Sequence, residues 1–269
     1  MTERPTLCLA GGLGDIIMKL YRSTGYHSLE HASETTNILL VTHNPFVAEL
    51  FRWHPNREHF VIFDLFHKFR EYVDKGYKRG ERIDQIFKFL GIPRSLEIGA
   101  RKLVMPNYYA PDPVESDGHV IFQPYAGAWG RCLTPEVIKR LLECFSNIDR
   151  RVFVITRSYV RTRGERVLHN SERFDFDLPD NVTWRDDLSV PSTMQLLRRS
   201  HAFVGAHSSL LQGAWMEGKA TVVMYRKGQG DWVNPGKGYA WGARLDNCRH
   251  YDFGNIDFDE VSNLISAES

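Results

Sequence analysis

Two glycine- or serine-rich turns, each following an apolar run and each opening a helical pattern, stand about 195 residues apart in this chain. The first is Gly11-Gly12-Leu13-Gly14-Asp15, after Thr6-Leu7-Cys8-Leu9-Ala10 and before Ile16-Ile17-Met18-Lys19-Leu20-Tyr21. The second is Gly205-Ala206-His207-Ser208-Ser209, after Ala202-Phe203-Val204. A strand that turns directly into a helix leaves backbone N–H groups unpaired at the positive end of the helix dipole, where a phosphate or carboxylate can bind. Gly12 and Gly14 let the backbone approach such a ligand closely. The two turns together predict two Rossmann-like halves facing one cleft. Asp15 does not suit a plain phosphate cradle, because it would repel the anion, so it either caps its helix or has a chemical task.

Short apolar runs alternate with helical patterns along the whole length, which predicts parallel sheets with covering helices. In the first half strands are expected at 6–10, 37–42 and 60–63, and helices at 15–22, 46–53, 66–75 and 81–90. Pro106-Asn107-Tyr108-Tyr109-Ala110-Pro111-Asp112-Pro113, followed by Glu115-Ser116-Asp117-Gly118, reads as a linker, so domains are expected at 1–112 and 113–269. The second half predicts strands at 119–122, 151–156, 182–184, 202–205 and 220–225. Its helices are expected from Thr134, at 192–199, at 208–217 and near 258–265, the last returning to brace the first domain.

Composition excludes several classes. The 34 Lys and Arg against 33 Asp and Glu give no overall bias toward nucleic acid or acidic membrane. Cys8, Cys132, Cys144 and Cys248 are scattered without metal-ligand spacing, as in reduced thiols of a cytoplasmic protein, and no stable membrane insertion is expected. His27 and His31 lie four apart but have no acidic partner nearby, so no metal site is expected. The chain lacks a Gly-x-Ser-x-Gly elbow, a Walker loop and the third glycine of a dinucleotide fingerprint. Lys68, Arg70, Lys75, Lys78, Arg79 and Arg82 form either a solvated helix face or a receptor for an anionic acceptor such as a phosphorylated glycan or DNA.

Four stretches carry a resemblance. They are Gly12-Leu13-Gly14-Asp15-Ile16-Ile17, Glu49 to Asn56, Phe122-Gln123-Pro124-Tyr125-Ala126-Gly127-Ala128-Trp129-Gly130-Arg131 through Glu136, and Val204-Gly205-Ala206-His207-Ser208-Ser209 through Gly218-Lys219-Ala220-Thr221. In this order they resemble the heptosyltransferase-like glycosyltransferases (glycosyltransferase family 9), which adopt the α/β GT-B arrangement of two Rossmann-like domains. The chain has His207 where that family usually has Asp, Ser209 for Gly, Gln212 for His and Ala220 for Pro. It is also shorter than a typical member, chiefly in the acceptor-facing half.

The resemblance implies transfer of a sugar from a nucleotide-activated donor to a hydroxyl acceptor without metal or other cofactor. It implies that Asp15 is the base that deprotonates the acceptor, with closure about the linker. The donor side would be held by Gly12, Gly14, Arg131, Arg157, His207, Ser208, Ser209 and Gln212. Bland alternatives stand beside each role: an N-cap for the serines, a surface ion pair for Arg131, a buried turn-fixing ring for His207 and packing for Gln212. The stretch 226–243, with Trp232 and Tyr239, is expected to cover the donor or simply to pack. A glycosyltransferase acting on a nucleic-acid base and a non-catalytic nucleotide-sugar-binding module are the competing readings.

Overall fold

The apolar runs do become strands, and they pair in parallel except in one hairpin. The computed structural model describes residues 6–10, 12–14, 16–17, 37–42, 44–64, 107–111, 114, 116–126, 131–161, 166–169, 173, 175–226 and 246–267. The chain divides into two compact units, one of Met1–Pro111 with Ser189–Pro191, the other of Asp112–Leu188 with Ser192–Ser269.

In the first unit β1 (Thr6–Ala10), β2 (Asn37–Thr42) and β3 (Phe60–Asp64) form a parallel sheet in that order. Leu7 lies opposite Ile38 and Leu40 opposite Ile62. Past β1 the chain bends at Gly12, and Leu13, Gly14, Ile16 and Ile17 are helical, with the Ile16 N–H donating to the Gly12 carbonyl at 3.0 Å. Ile16 and Ile17 are fully buried. Helix α1 (Pro45–Leu50) starts with proline at a position that needs no N–H, and the Asn44 side chain accepts the Phe46 N–H at 2.9 Å. It ends three residues before the expected Trp53, where the chain turns and Phe51 stacks on Phe60 at 5.0 Å. The helices expected at 66–75 and 81–90, and most of 15–22, lie outside the described residues.

The second unit contains β4 (Val120–Gln123), α2 (Pro135–Ser146), β5 (Val152–Val154), the antiparallel hairpin β6 (Ser158–Arg161) and β7 (Arg166–His169), and β8 (Val182–Trp184). Then follow α3 (Val190–Arg199), β9 (Ala202–Ala206), α4 (Ser209–Met216), β10 (Ala220–Tyr225), β11 (Cys248–Asp252) and α5 (Phe258–Ser266). Six of the strands make one parallel sheet in the order β8-β5-β4-β9-β10-β11. Numbered by their place in the chain this is 3-2-1-4-5-6, the Rossmann order.

Side chains alternate across this sheet as strand geometry requires. Val120, Phe122, Val152, Val154, Val204, Val222 and Met224 point to the face covered by α2 and α5. Helix α2 has its start set by Thr134, whose hydroxyl accepts the Val137 N–H, and Pro135, and it buries Val137, Ile138, Leu141, Leu142 and Phe145 along one stripe. Each such side chain contributes about 1.5–3 kcal/mol by leaving water. Val261 and Ile265 of α5 sit in the same core as Leu141, so its apolar stripe is spent on its own unit. Residues of the alternate set face α4, where the Trp215 indole donates to the Thr221 hydroxyl at 3.2 Å. Helix α3 packs there too, with Met194 and Leu197 against Gly213 of α4. The Arg198 guanidinium donates at 2.9 Å to Glu217, whose side chain is 1 % exposed, and this ion pair ties the two helices together.

At the carboxyl end of the sheet β9 approaches β4 so closely that a Cβ on Gly205 would stand 2.2 Å from the Gln123 carbonyl oxygen. Gly218, just beyond α4, has φ +67 but open space around it. These two glycines predict different costs. Gly205→Ala collides with main chain and is expected to lower stability by at least about 3 kcal/mol, whereas Gly218→Ala meets only a backbone penalty of about 1–2 kcal/mol. Urea unfolding of both variants checks the order; equal losses would contradict the packing described.

Candidate functional site

The connection after β4 runs to α2 on one face of the sheet, and the connection after β9 runs to α4 on the other. Chains leaving in opposite directions open a crevice between the carboxyl ends of β4 and β9, the switch point where open α/β sheets bind ligands. Sequence and fold together place Gln123 on one lip and His207, Ser208 and Ser209 on the other.

Ser208 is the N-cap of α4, and its hydroxyl oxygen accepts the Leu211 N–H at 3.3 Å while its proton goes to the Gln123 Oε1. The proton of that hydroxyl and one of its two lone pairs are thereby engaged. Ser208 caps its helix, and the donors at the helix opening are the N–H groups of Ser209 and Leu210, which have no carbonyl within the helix to donate to. Gln123, only 7 % exposed, was not singled out from sequence. It lies 85 residues from Ser208, and no local spacing signals that pair.

His207 follows β9 directly, its ring 6.2 Å from that of Trp215 in an edge-on arrangement. Both ring nitrogens are buried and, among the described residues, neither has a hydrogen-bond partner. Burial lowers its pKa from 6.5 to about 4, and the positive charge of Arg131 adds to the effect. Arg131 is half-buried at the turn before α2, and burial lowers its own pKa. The same turn is fastened to β4 by the Leu133 N–H donating to the Pro124 carbonyl at 2.9 Å. Gln212, one helical turn beyond Ser208, is 6 % exposed, with Oε1 unpartnered among the described residues. Buried acceptors and donors left open in this way are costly unless something else completes them. Thr156, after β5, is a further buried hydroxyl of this kind that sequence reading passed over.

The remaining expected residues divide. Gly12 and Gly14 form the bend and first helical turn after β1, as expected for that motif, while the Asp15 side chain lies outside the described residues. Arg157 follows β5 and donates at 3.2 Å to the Leu188 carbonyl, a bond that fastens the chain after β8. Residues 227–243 of the expected donor loop, the Lys68–Arg82 basic cluster, and His27 with His31 lie outside the described residues. Among the described residues no group of His, Cys, Asp and Glu is gathered for a metal ion, and no helix is long and apolar enough to cross a membrane. A separate pocket of about 660 Å³ is lined by Val114, Ser116, Arg151, Phe153, Thr183 and Arg185, along the edge strands and not at the switch point.

No protein-family model and no curated protein matches the sequence. Solved structures do match in fold. ADP-heptose LPS heptosyltransferase II of E. coli aligns over 97 % of this chain and 98 % of its own, with TM-score 0.58 and 12 % identity. A family 9 glycosyl transferase from Veillonella parvula gives TM-score 0.55 at 10 % identity, covering 97 % of this chain and 88 % of that one. E. coli heptosyltransferase WaaC with ADP gives 0.53 at 10 %, covering 98 % and 97 %. The chain has the α/β GT-B fold of these heptosyltransferases.

The buried histidines generate a pH prediction. His54 Nδ1 accepts the Asn56 N–H at 3.1 Å and His119 Nε2 donates to the Leu196 carbonyl at 3.0 Å, and burial lowers both to a pKa of about 4. A native pKa below the unfolded 6.5 means that folding keeps these rings, and that of His207, neutral. Their contribution is complete above pH 6.5 and is lost as pH falls toward 4, at most about 3 kcal/mol for each of the buried His54 and His119 rings and less for the partly exposed His207. The urea midpoint is therefore expected to fall steeply between pH 6.5 and 4.5; a flat midpoint would contradict it.

Proposed function

We propose that this protein is a glycosyltransferase that moves a sugar from a nucleotide-activated donor to a hydroxyl acceptor. The observation that carries this reading is the Rossmann switch point, where the opening of α4, Arg131 and His207, whose ring nitrogens lack a partner side chain among the described residues, lie at the carboxyl end of the sheet. Every one of these groups favours an anion. The fold shared with heptosyltransferases supports the same reading, and since one of those structures, E. coli heptosyltransferase WaaC, holds ADP, adenosine diphosphate sugars are the first donors to test.

Glycosyl transfer needs two things from the protein. As the acceptor oxygen attacks the anomeric carbon, its proton must be removed, and the bond to the diphosphate breaks with negative charge collecting on the leaving group. The second need is met here by the Ser209 and Leu210 N–H groups and the Arg131 guanidinium, fixed donors that do not have to reorganise. For the first, Asp15 in the turn after β1 is our candidate, on the strength of the family resemblance. The charge of Arg131 and the helix terminus leaves no need for a divalent metal, so turnover is expected to survive chelation.

A thermal-shift titration without metal tests the reading. ADP or an ADP-sugar is expected to raise the melting temperature, since a ligand bound only by the folded state stabilises it. Arg131→Ala is expected to weaken that binding about 10- to 100-fold, the worth of a charged hydrogen bond. Asp15→Asn is expected to keep the shift but lose at least about 100-fold in sugar transfer. Absence of any shift with nucleoside diphosphates or their sugar conjugates at millimolar concentration contradicts the donor site, and full turnover in Asp15→Asn removes that residue from the mechanism.

A further inference from the structure

The electrostatics around His207 are one-sided. His54 and His119, more fully buried than the partly exposed His207, are also held neutral, yet each has one ring nitrogen in a hydrogen bond, and each has a carboxylate, Glu58 or Asp117, that favours the charged ring. At His207 neither nitrogen has a well-formed hydrogen bond among the described residues, and the influence opposing neutrality, the smallest of the three, is a weak bond to its own backbone. Among the described residues the elements around it bring no acid. The turn before α2 brings the cation Arg131, α4 brings the uncharged Trp215 and its own positive end, and β4 brings the uncharged amide of Gln123. An imidazole always offers two nitrogens, so burying both without partners is a cost with no return inside the empty crevice.

A phosphate-bearing ligand reverses each of these terms. Its oxygens accept from the ring, its charge cancels the field of Arg131, and an anion beside imidazole favours the protonated form. We propose that His207 takes up one proton from solvent when a phosphate-bearing ligand settles at the amino end of α4, and that the imidazolium so formed donates to a phosphoryl oxygen. This rests on the reading of the crevice as a diphosphate site and adds to it a selective device. The empty site keeps a neutral ring beside Arg131 and avoids like-charge repulsion, and the second cation appears only with an anion to pair it. A sugar without its diphosphate leaves the ring neutral and gains nothing from it. By linkage, affinity for the phosphate-bearing ligand rises as pH falls toward the pKa of the ring in the complex.

The test is NMR titration of the histidine ring nitrogens of the whole chain between pH 6 and 8, free, with saturating sulfate and with saturating ADP. Sulfate does not titrate in this range, so any proton taken up belongs to the protein. The His207 signal is assigned from its proximity to Trp215 and from its absence in His207→Gln, and the first assignment holds whether or not that variant folds. The free ring is expected to show no midpoint in this range, in keeping with its value of about 4, and either ligand is expected to raise the midpoint to about 6 or higher. Wild-type affinity for ADP is expected to gain about 2- to 10-fold over His207→Gln between pH 8 and pH 6. Ligand bound, as seen by a rise in melting temperature, with the His207 midpoint unmoved overturns the proton uptake and leaves the diphosphate site standing. No binding of ADP or sulfate overturns both.

Discussion

The crevice exists because β9 can lie almost in contact with β4 at the carboxyl end of the sheet. With Gly205 paired to Gln123 in the parallel ladder, any side chain at 205 would occupy the Gln123 carbonyl. Hydrogen at that position allows the two strands to stay paired to their last residue, which brings the Gln123 side chain to Ser208 and fixes where α4 begins. The helix opening is thus set by a strand contact, and the direction of its dipole is inherited from the sheet. A crevice with this geometry follows from strand order, since the chain departs to opposite faces on its two sides.

Polar groups in the second unit fall into those that finish the fold and those that the fold leaves unfinished. The Asn181 amide nitrogen donates to the carbonyls of Phe145, Ile148 and Arg150, closing the end of α2 and the turn after it. Arg198 meets Glu217, Arg157 meets the Leu188 carbonyl, and Arg249 with the Tyr251 hydroxyl meets Glu260. Buried polar atoms without partners among the described residues include His119 Nδ1 at the amino end of β4, and at the opposite end of the sheet His207 directly after β9, Thr156 just beyond β5 and Gln212 one turn into α4. Stability alone would favour filling such positions with apolar groups, because an orphaned polar atom costs more than a methyl in the same place. The presence of the last three on the edge where a Rossmann sheet meets its ligands is the physical basis for assigning a site there.

Much of this architecture is legible in the sequence because buried parallel strands are short apolar runs and helix starts carry chemical marks. Thr134-Pro135 and Ser208 give the beginnings of α2 and α4 to within one residue. Helix α3 begins at Val190, two residues before the expected start, since Pro191 is tolerated in a first turn. Strand β11, Cys248-Arg249-His250-Tyr251-Asp252, went unread because an edge strand needs few apolar residues, and the β6–β7 hairpin was likewise missed. At the site, His207, Ser208, Ser209 and Gln212 were legible as a turn opening a helix. That Ser208 is consumed by Gln123 was not, because the partner comes from another strand and is set by register alone.

The central claim is that an anionic nucleotide occupies the β4–β9 crevice, and a crystal structure of the protein grown with ADP tests it most directly. The diphosphate is expected within hydrogen-bond range of the Ser209 and Leu210 N–H groups, with Arg131 and His207 on the same phosphates. ADP bound instead in the pocket lined by Arg151, Phe153 and Arg185, with the opening of α4 occupied only by solvent, would contradict it.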